Sequence, residues 1–319
     1  MPRISGKRIS DDLFSLHFDI FVGRKMTTFL TFLVNGALIG LLYSLIALTF
    51  IIIYRSSRVF NLAQGELIVI AAFLIWSFSD WLPDNPFIAV LLATLALVVI
   101  GLIIERMVIG PLIGADVFSY VMVTIGLLLF LQGVVLVLWG PEIRLFPAIV
   151  DLAGVRIGGM VLDRALVYGA IATVVIATGM MIFFNRTQTG LEMTAVAEGH
   201  EIALSMGISI KKSLAISWVL SCILSIVAAI MFLNGKGLSF AAADVALVAL
   251  PAVLLAGLES VGGVLIAGLI IGITAQLGSY WLDPLVGGGV ADVLPFVFMI
   301  IILLIRPAGL FGWKSVDRL

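Results

Sequence analysis

FLTFLVNGALIGLLYSLIALTFIIIY, residues 29–54, carries no charged side chain. An α-helix rises 1.5 Å per residue, so about 20 apolar residues cross the hydrocarbon layer of a bilayer. This stretch exceeds that length. It is also too long for the apolar core of a cleavable signal, about 7–15 residues, and reads as a retained span. Working outward, uncharged runs of similar length recur at 85–104, 117–141, 165–185, 213–235 and 260–282. Three shorter apolar runs lie at 67–79, 245–258 and 293–305. The first extends back through 61–66, the second contains Pro251, and the third ends at Arg306. Together they predict an all-α, polytopic integral membrane bundle of about nine spans, eight to ten, with the short ones broken or re-entrant. Such backbone is tolerated at membrane depth only where protein or a water-filled cavity covers it.

Composition agrees. Of 319 residues, 62% are hydrophobic and 12% charged, against about 25% charged in a soluble domain. A formal net charge of -1 gives no basis for nucleic-acid binding. The single cysteine, Cys222, excludes an internal disulfide framework and reads as a small buried residue. Two histidines, His17 and His200, do not make a metal site. No Ser/His, His/Asp or metal-ligand constellation points to an enzyme. No phosphate-binding loop of the Walker type is present, so ATP chemistry by that route falls to a partner. Glu66, Glu105, Asp116, Glu259 and Asp292 fall at predicted span ends rather than in the interiors of the long spans. Ion-driven carriers usually place such groups inside the membrane, so this distribution weakens that mechanism.

Basic residues orient the chain. The polar loop 186–212 holds Arg186, Lys211 and Lys212 and is placed in the cytoplasm. Alternation then puts Arg55, Arg58, Arg106, Arg306, Lys314 and Arg318 on the same side, and Arg144, Arg156, Arg164 and Lys236 opposite. With nine spans the basic tail 1–28 (Arg3, Lys7, Arg8, Arg24, Lys25) falls outside, against the rule. Residues 11–22 read as a short surface helix. The loop 140–163, with Pro141, Pro147, Gly154, Gly158 and Gly159 around alternating Val155 and Ile157, predicts a small extracytoplasmic hairpin. It is either a cap over helices or a docking surface for a soluble partner.

Polar residues within the bundle mark candidate sites. Asn61, Gln64 and Glu66 enter a short span and either satisfy a broken helix or line a pathway. Gly36 and Gly40, and Gly268 and Gly272, have the four-residue spacing that lets helices approach closely. Gly262-Gly263 reads as a tight turn. In 189–212, TGLEMTAVAEGHEIALSMGISIKK, residues 193–206 predict one short helix. Ala195, Ile202 and Met206 share an apolar face, and Glu198 and Glu201 lie on the polar side. Gly207 stops the helix with φ > 0. The small residues Ala195, Ala197, Gly199 and Ala203 leave room for another protein to approach.

Glu201-Ile202-Ala203, then three residues, then Gly207 resembles the Glu-Ala-Ala-three-Gly motif of bacterial ABC-importer permeases. RTQTGLEMTAVAEGHEIALSMGI around it, VFNLAQGELIVIAAFLIW, ERMVIGPLIG, VTIGLLLFLQG, GLESVGGVLIAGLIIG and terminal RPAGLFG resemble, in order, landmarks of the branched-chain amino acid ABC permease family. The resemblance implies a basic tail (1–28), a permease domain (29–312) and a C-terminal tail (313–319). Within the domain, 190–207 would be the cytoplasmic coupling helix and 140–163 a periplasmic loop. Glu198, Gly199, Glu201, Ala203 and Gly207 would meet the ATPase. The implied partners are a second related permease, two ATP-binding subunits, a periplasmic solute-binding protein and the inner-membrane bilayer. No cofactor is expected on this chain. Leu62 and Gln64 stand where the family usually has Phe and His, and Glu259 where a small residue is usual. These departures bear on the substrate, since related permeases carry amino acids, urea or short amides. A stand-alone secondary transporter or channel is the alternative reading.

Overall fold

The computed structural model describes residues 6–157 and 160–312. The chain is a polytopic helical membrane protein. Among the described residues the helices are α1 (Gly6–Ser57), α2 (Gln64–Trp81), α3 (Pro86–Ile104), α4 (Val117–Trp139), α5 (Arg164–Arg186), α6 (Gln188–Glu198), α7 (His200–Ser205), α8 (Ile210–Leu233), α9 (Asp244–Ala256), α10 (Val261–Val286) and α11 (Val290–Ile305). Six segments among the described residues are long and apolar enough to cross a membrane: Met26–Ser57, Pro86–Leu112, Val117–Trp139, Arg164–Arg186, Ile210–Leu233 and Val261–Val286. They coincide with the six long uncharged runs. The three short runs become α2, α9 and α11, with Pro251 inside α9 and Pro295 inside α11. Length and composition pick out six passes; the expected count of nine rests on the shorter α2, α9 and α11.

Two further expectations change. Residues 11–22 do not form a separate helix, because α1 runs unbroken from Gly6. Gly262-Gly263 is not a turn. Ser260 caps α10 by accepting from the Gly263 N–H at 2.9 Å, and both glycines lie in its first turn. The turn falls earlier, at Gly257 (φ 77°). Residues 1–5, Gly158 and Gly159, and the tail 313–319, with Lys314 and Arg318, lie outside the described residues.

Packing radiates from α1. Leu45, Ile46, Leu48, Ile51 and Ile52 are buried within a cluster shared with α2, α8, α9 and α10. The seam with α10 rests on the two glycine pairs. A Cβ on Gly36 would lie 2.9 Å from the Gly272 oxygen, and one on Gly40 would lie 2.9 Å from the Gly268 carbonyl carbon. The helices run antiparallel, and the next turn adds the Ser44 hydroxyl, which donates to the Val264 carbonyl at 2.9 Å. By contrast α3, α4 and α5 present Leu91, Leu95, Val99, Leu129, Phe130, Val137, Ile171 and Val175 outward. Helices that are apolar on exposed faces are expected where lipid or another membrane chain is the surroundings.

Among the described residues four short strands depart from an all-α chain. β1 (Arg144–Leu145) pairs with β4 (Gly237–Leu238), and β2 (Val155–Ile157) pairs with β3 (Met160–Leu162) as the alternating residues predicted. The 140–163 loop is docked rather than free. Asn234 clamps it by accepting from the Val150 N–H and donating to the Val150 carbonyl, both at 2.9 Å. Phe146, within the loop, is fully buried, and its N–H reaches the Lys236 carbonyl at 2.9 Å.

Candidate functional site

The backbone breaks between α1 and α2. Ser57 ends α1 and its hydroxyl receives the Val59 N–H at 3.2 Å. Asn61 follows, its Oδ1 accepting from the Ala63 N–H at 3.1 Å, which starts α2 without a conventional cap. Asn61, Gln64 and Glu66 are all buried (3%, 0% and 2% exposed). Each keeps one polar atom without a partner among the described residues: Asn61 Nδ2, Gln64 Oε1 and Glu66 Oε2. An unpaired buried polar atom costs about 1–3 kcal/mol, so three in one break are unusual in a purely structural joint.

α8 supplies the partners that do exist. Ser213, Ser217, Ser221 and Ser225 recur every fourth residue and are all buried, a polar stripe within an apolar span. Ser217 receives the Ser56 hydroxyl at 2.7 Å. Ser221 donates to the Thr49 carbonyl at 3.1 Å, and Ser225 receives the Gln64 Nε2–H at 2.9 Å. From Ser217 to Ser225 is two turns, about 12 Å along α8. The chain therefore advances into the bundle as it passes through the break, and Gln64 opens α2 beside the middle of α8. Sequence reading missed this stripe, although serine at every fourth position was its signal.

Beside the break lies a cavity of about 240 Å³. Phe50, Phe60, Leu62, Leu247 and Leu250 make it mostly apolar; Glu66, Gln132 and Asp244 are its polar groups. Of the three residues expected near a pathway, Glu66 lines it. Gln64 turns instead to α8, and Asn61 lines a separate small cavity of about 10 Å³ with Tyr120, Thr124 and Trp218. That volume holds about one water. Gln132 and Asp244 were not foreseen, because only the fold brings α4 and α9 beside α2.

The 189–212 segment forms two helices, α6 and α7, rather than one over 193–206. Gly199 is extended (φ -175°, ψ 113°) and separates them. Its buried side is Met193 and Val196, not Ala195; Met206 is exposed. Glu198 is exposed and Gly199 half-buried. Ala203 is buried against Val196, Ile210 and Leu214. Glu201 belongs to α7; its side chain is outside the described residues. Gly207 (φ 78°) closes α7 as its sequence position predicted. The Gly207 N–H reaches the Leu204 carbonyl at 3.0 Å and the Ile208 N–H reaches Ala203 at 2.9 Å, the paired bonds of a Schellman motif. Leu204 and Met206, 59% and 71% exposed, project from this end.

α6 is tied to the end of α1. Arg55 donates to Thr194 Oγ1 at 3.1 Å and lies 4.3 Å over the Phe184 ring. Arg58 donates its Nε–H to the Ala197 carbonyl at 2.8 Å and pairs with Glu259 in the α9–α10 turn. Arg58 holds φ 57°, a left-handed conformation that costs a non-glycine residue about 1–3 kcal/mol unless its surroundings enforce it. The two bonds supply that enforcement. A displacement of α6 therefore reaches α1 at Arg55 and Arg58, the α9–α10 turn at Glu259, and, three residues beyond Arg58, the Asn61 break.

A family model described as branched-chain amino acid transport system / permease component matches residues 32–303. The high-affinity branched-chain amino acid transport system permease protein BraD of Pseudomonas aeruginosa is 25% identical over 303 residues, 90% of this chain and 96% of that protein. The probable branched-chain amino acid transport permease protein LivH of Methanocaldococcus jannaschii is 27% identical over 314 residues, 93% of this chain and 96% of that one. Among solved structures, PsaBC from Streptococcus pneumoniae in complex with Fab aligns with a TM-score of 0.46 and 14% identity. That alignment covers 87% of this chain and 92% of that chain, a likeness too slight to carry an argument.

Proposed function

The chain belongs to the permease components of branched-chain amino acid transport systems, and from that premise we propose that it is the membrane subunit of a bacterial ABC importer. Its solute is a branched-chain or related amino acid, moved by alternating access. The observation that carries this is the cavity beside the α1–α2 break. Glu66 and Asp244 attract an ammonium group, while Phe50, Phe60 and Leu250 accept an aliphatic side chain. A volume of about 240 Å³ falls below the 300–1,000 Å³ of drug-sized sites, which suits a small solute.

Coupling follows the contacts already described. ATP-hydrolysing subunits dock on the α6–α7 segment at Glu198, Gly199, Glu201 and Gly207, with Leu204 and Met206 as apolar anchors, while Ala203, buried within the chain, holds α7 against α6 and α8 rather than meeting the partner. Their closure moves α6. Arg55 and Arg58 pass that motion to α1, and the glycine seam makes α10 follow as one body. The cavity between α2, α4 and α9 then changes the side to which it opens. The permease domain is residues 29–312, and α2, α9 and α11 complete nine passes as broken or short spans. The 140–163 loop faces the periplasm, where a solute-binding protein docks. A second, related permease completes the path, in the inner membrane, and the chain itself holds no cofactor.

Uptake of labelled leucine into proteoliposomes carrying the purified complex tests the reading. Uptake is expected only with ATP inside the compartment that exposes α6–α7. Uptake driven equally well by a sodium gradient without ATP would overturn it in favour of a secondary transporter.

A further inference from the structure

We propose that a basic cavity between the end of α3 and the start of α8 binds the phosphate headgroup of an anionic lipid. The cavity measures about 460 Å³ and is lined by Arg106, Lys211 and Lys212, with Glu105 and the Gly110-Pro111 backbone. Three cations face one carboxylate. Among the described residues none of the three forms an ion pair, and Glu105 is only 7% exposed. Lys211 and Lys212 also lie in the first turn of α8, where the aligned peptide dipoles already make the helix end positive. Lysine is unfavourable there unless an anion answers it.

The location selects a lipid over a free oxyanion. The cavity sits at the end of the membrane-length segment Pro86–Leu112. There the helix widens to π-form over Glu105–Ile109, a distortion often found at functional sites. Ile103 and Met107, one turn apart, are 51% and 73% exposed and continue the apolar flank on which acyl chains lie. Basic pockets between spanning helices hold anionic headgroups in this way. The site also abuts the α6–α7 segment, since Ile113 packs on the Val196, Ala203, Ile210 and Leu214 cluster.

The test is native mass spectrometry of the full-length chain in mild non-ionic detergent, titrated with dioleoylphosphatidylglycerol or dioleoylphosphatidylcholine. Retention of phosphatidylglycerol over phosphatidylcholine is expected. Each cation removed should weaken it about fivefold, so the triple variant Arg106→Gln, Lys211→Gln, Lys212→Gln should lose about a hundredfold. Glu105→Gln should tighten it, an opposite sign that misfolding does not produce. Equal retention of both lipids, or a triple variant that binds like the parent, overturns the site. Inorganic sodium phosphate that displaces the lipid at matching concentration overturns the lipid assignment and leaves a free-oxyanion pocket.

Discussion

Gly40→Ala adds one methyl group to the seam between α1 and α10. The new Cβ would lie 2.9 Å from the Gly268 carbonyl carbon and 3.1 Å from the Leu269 Cα, with the Gly268 oxygen closer still. All three are backbone atoms, so no side chain can swing aside and the helices must part. Overpacking of this kind costs about 1–3 kcal/mol. Parting also stretches the Ser44–Val264 hydrogen bond, 2.9 Å long and one turn away, worth on average about 0.6 kcal/mol in a membrane. Alanine returns about 0.5–1 kcal/mol of helix propensity. The net loss is about 1–3 kcal/mol. Gly126→Ala in α4 makes the same chemical change with nothing within 4 Å, so it should gain that propensity alone. Cys222 is the lone cysteine and fully buried, so a thiol-reactive dye reports unfolding directly. Gly40→Ala should lower the melting temperature by roughly 1–5 °C, while Gly126→Ala leaves it unchanged or raises it. Equal melting of both variants would refute the idea that the glycines set the α1–α10 distance.

Asn234→Ala leaves the Val150 N–H and carbonyl unpaired and should cost about 1–3 kcal/mol; hydrogen exchange at Val150 should quicken, and unchanged exchange contradicts the clamp. The Arg58–Glu259 pair is partly exposed, 44% and 30%, so a double-mutant cycle should find less than about 1 kcal/mol of stability in it. Glu259→Gln should nonetheless cut ATP-driven leucine uptake several-fold, because the pair links α1 to the α9–α10 turn; full uptake removes it from the coupling route. Gly207→Val places a β-branched residue at φ 78°, at about 1–2 kcal/mol or more, in open space. Membrane insertion should be normal and ATP-coupled uptake absent, as measured by quantified immunoblot and vesicle uptake together.

Much of the fold was legible because lipid imposes a simple rule: a span is long and uncharged. The run 165–185 became Arg164–Arg186, and 117–141 became Val117–Trp139. The glycine pairs were legible for the same reason, since spacing of four places small residues on one face. Periodicity names a face but not its partner, and there the reading stopped. Arg55 and Arg58 looked like topology markers, yet they hold Thr194 and the Ala197 carbonyl, 139 residues away. Glu259 was visible as an unusual residue in its turn, and only the fold supplied Arg58 beside it. The helix over 193–206 failed at Gly199, because the apolar repeat continues through a residue whose backbone does not. Of the residues expected near a pathway, Glu66 reaches the larger cavity, while Gln64 is committed to Ser225.

The central claim is that force enters the bundle through α6 and α7. A photo-cross-linking residue in place of exposed Met206, in membranes that contain the whole transport system, tests it most directly. Irradiation should join this chain to a nucleotide-hydrolysing subunit, with a yield that changes when ATP is added. If Met206 captures no such subunit while the same probe in place of exposed Met181, on α5, does, force enters elsewhere and the coupling route through Arg55 and Arg58 is wrong.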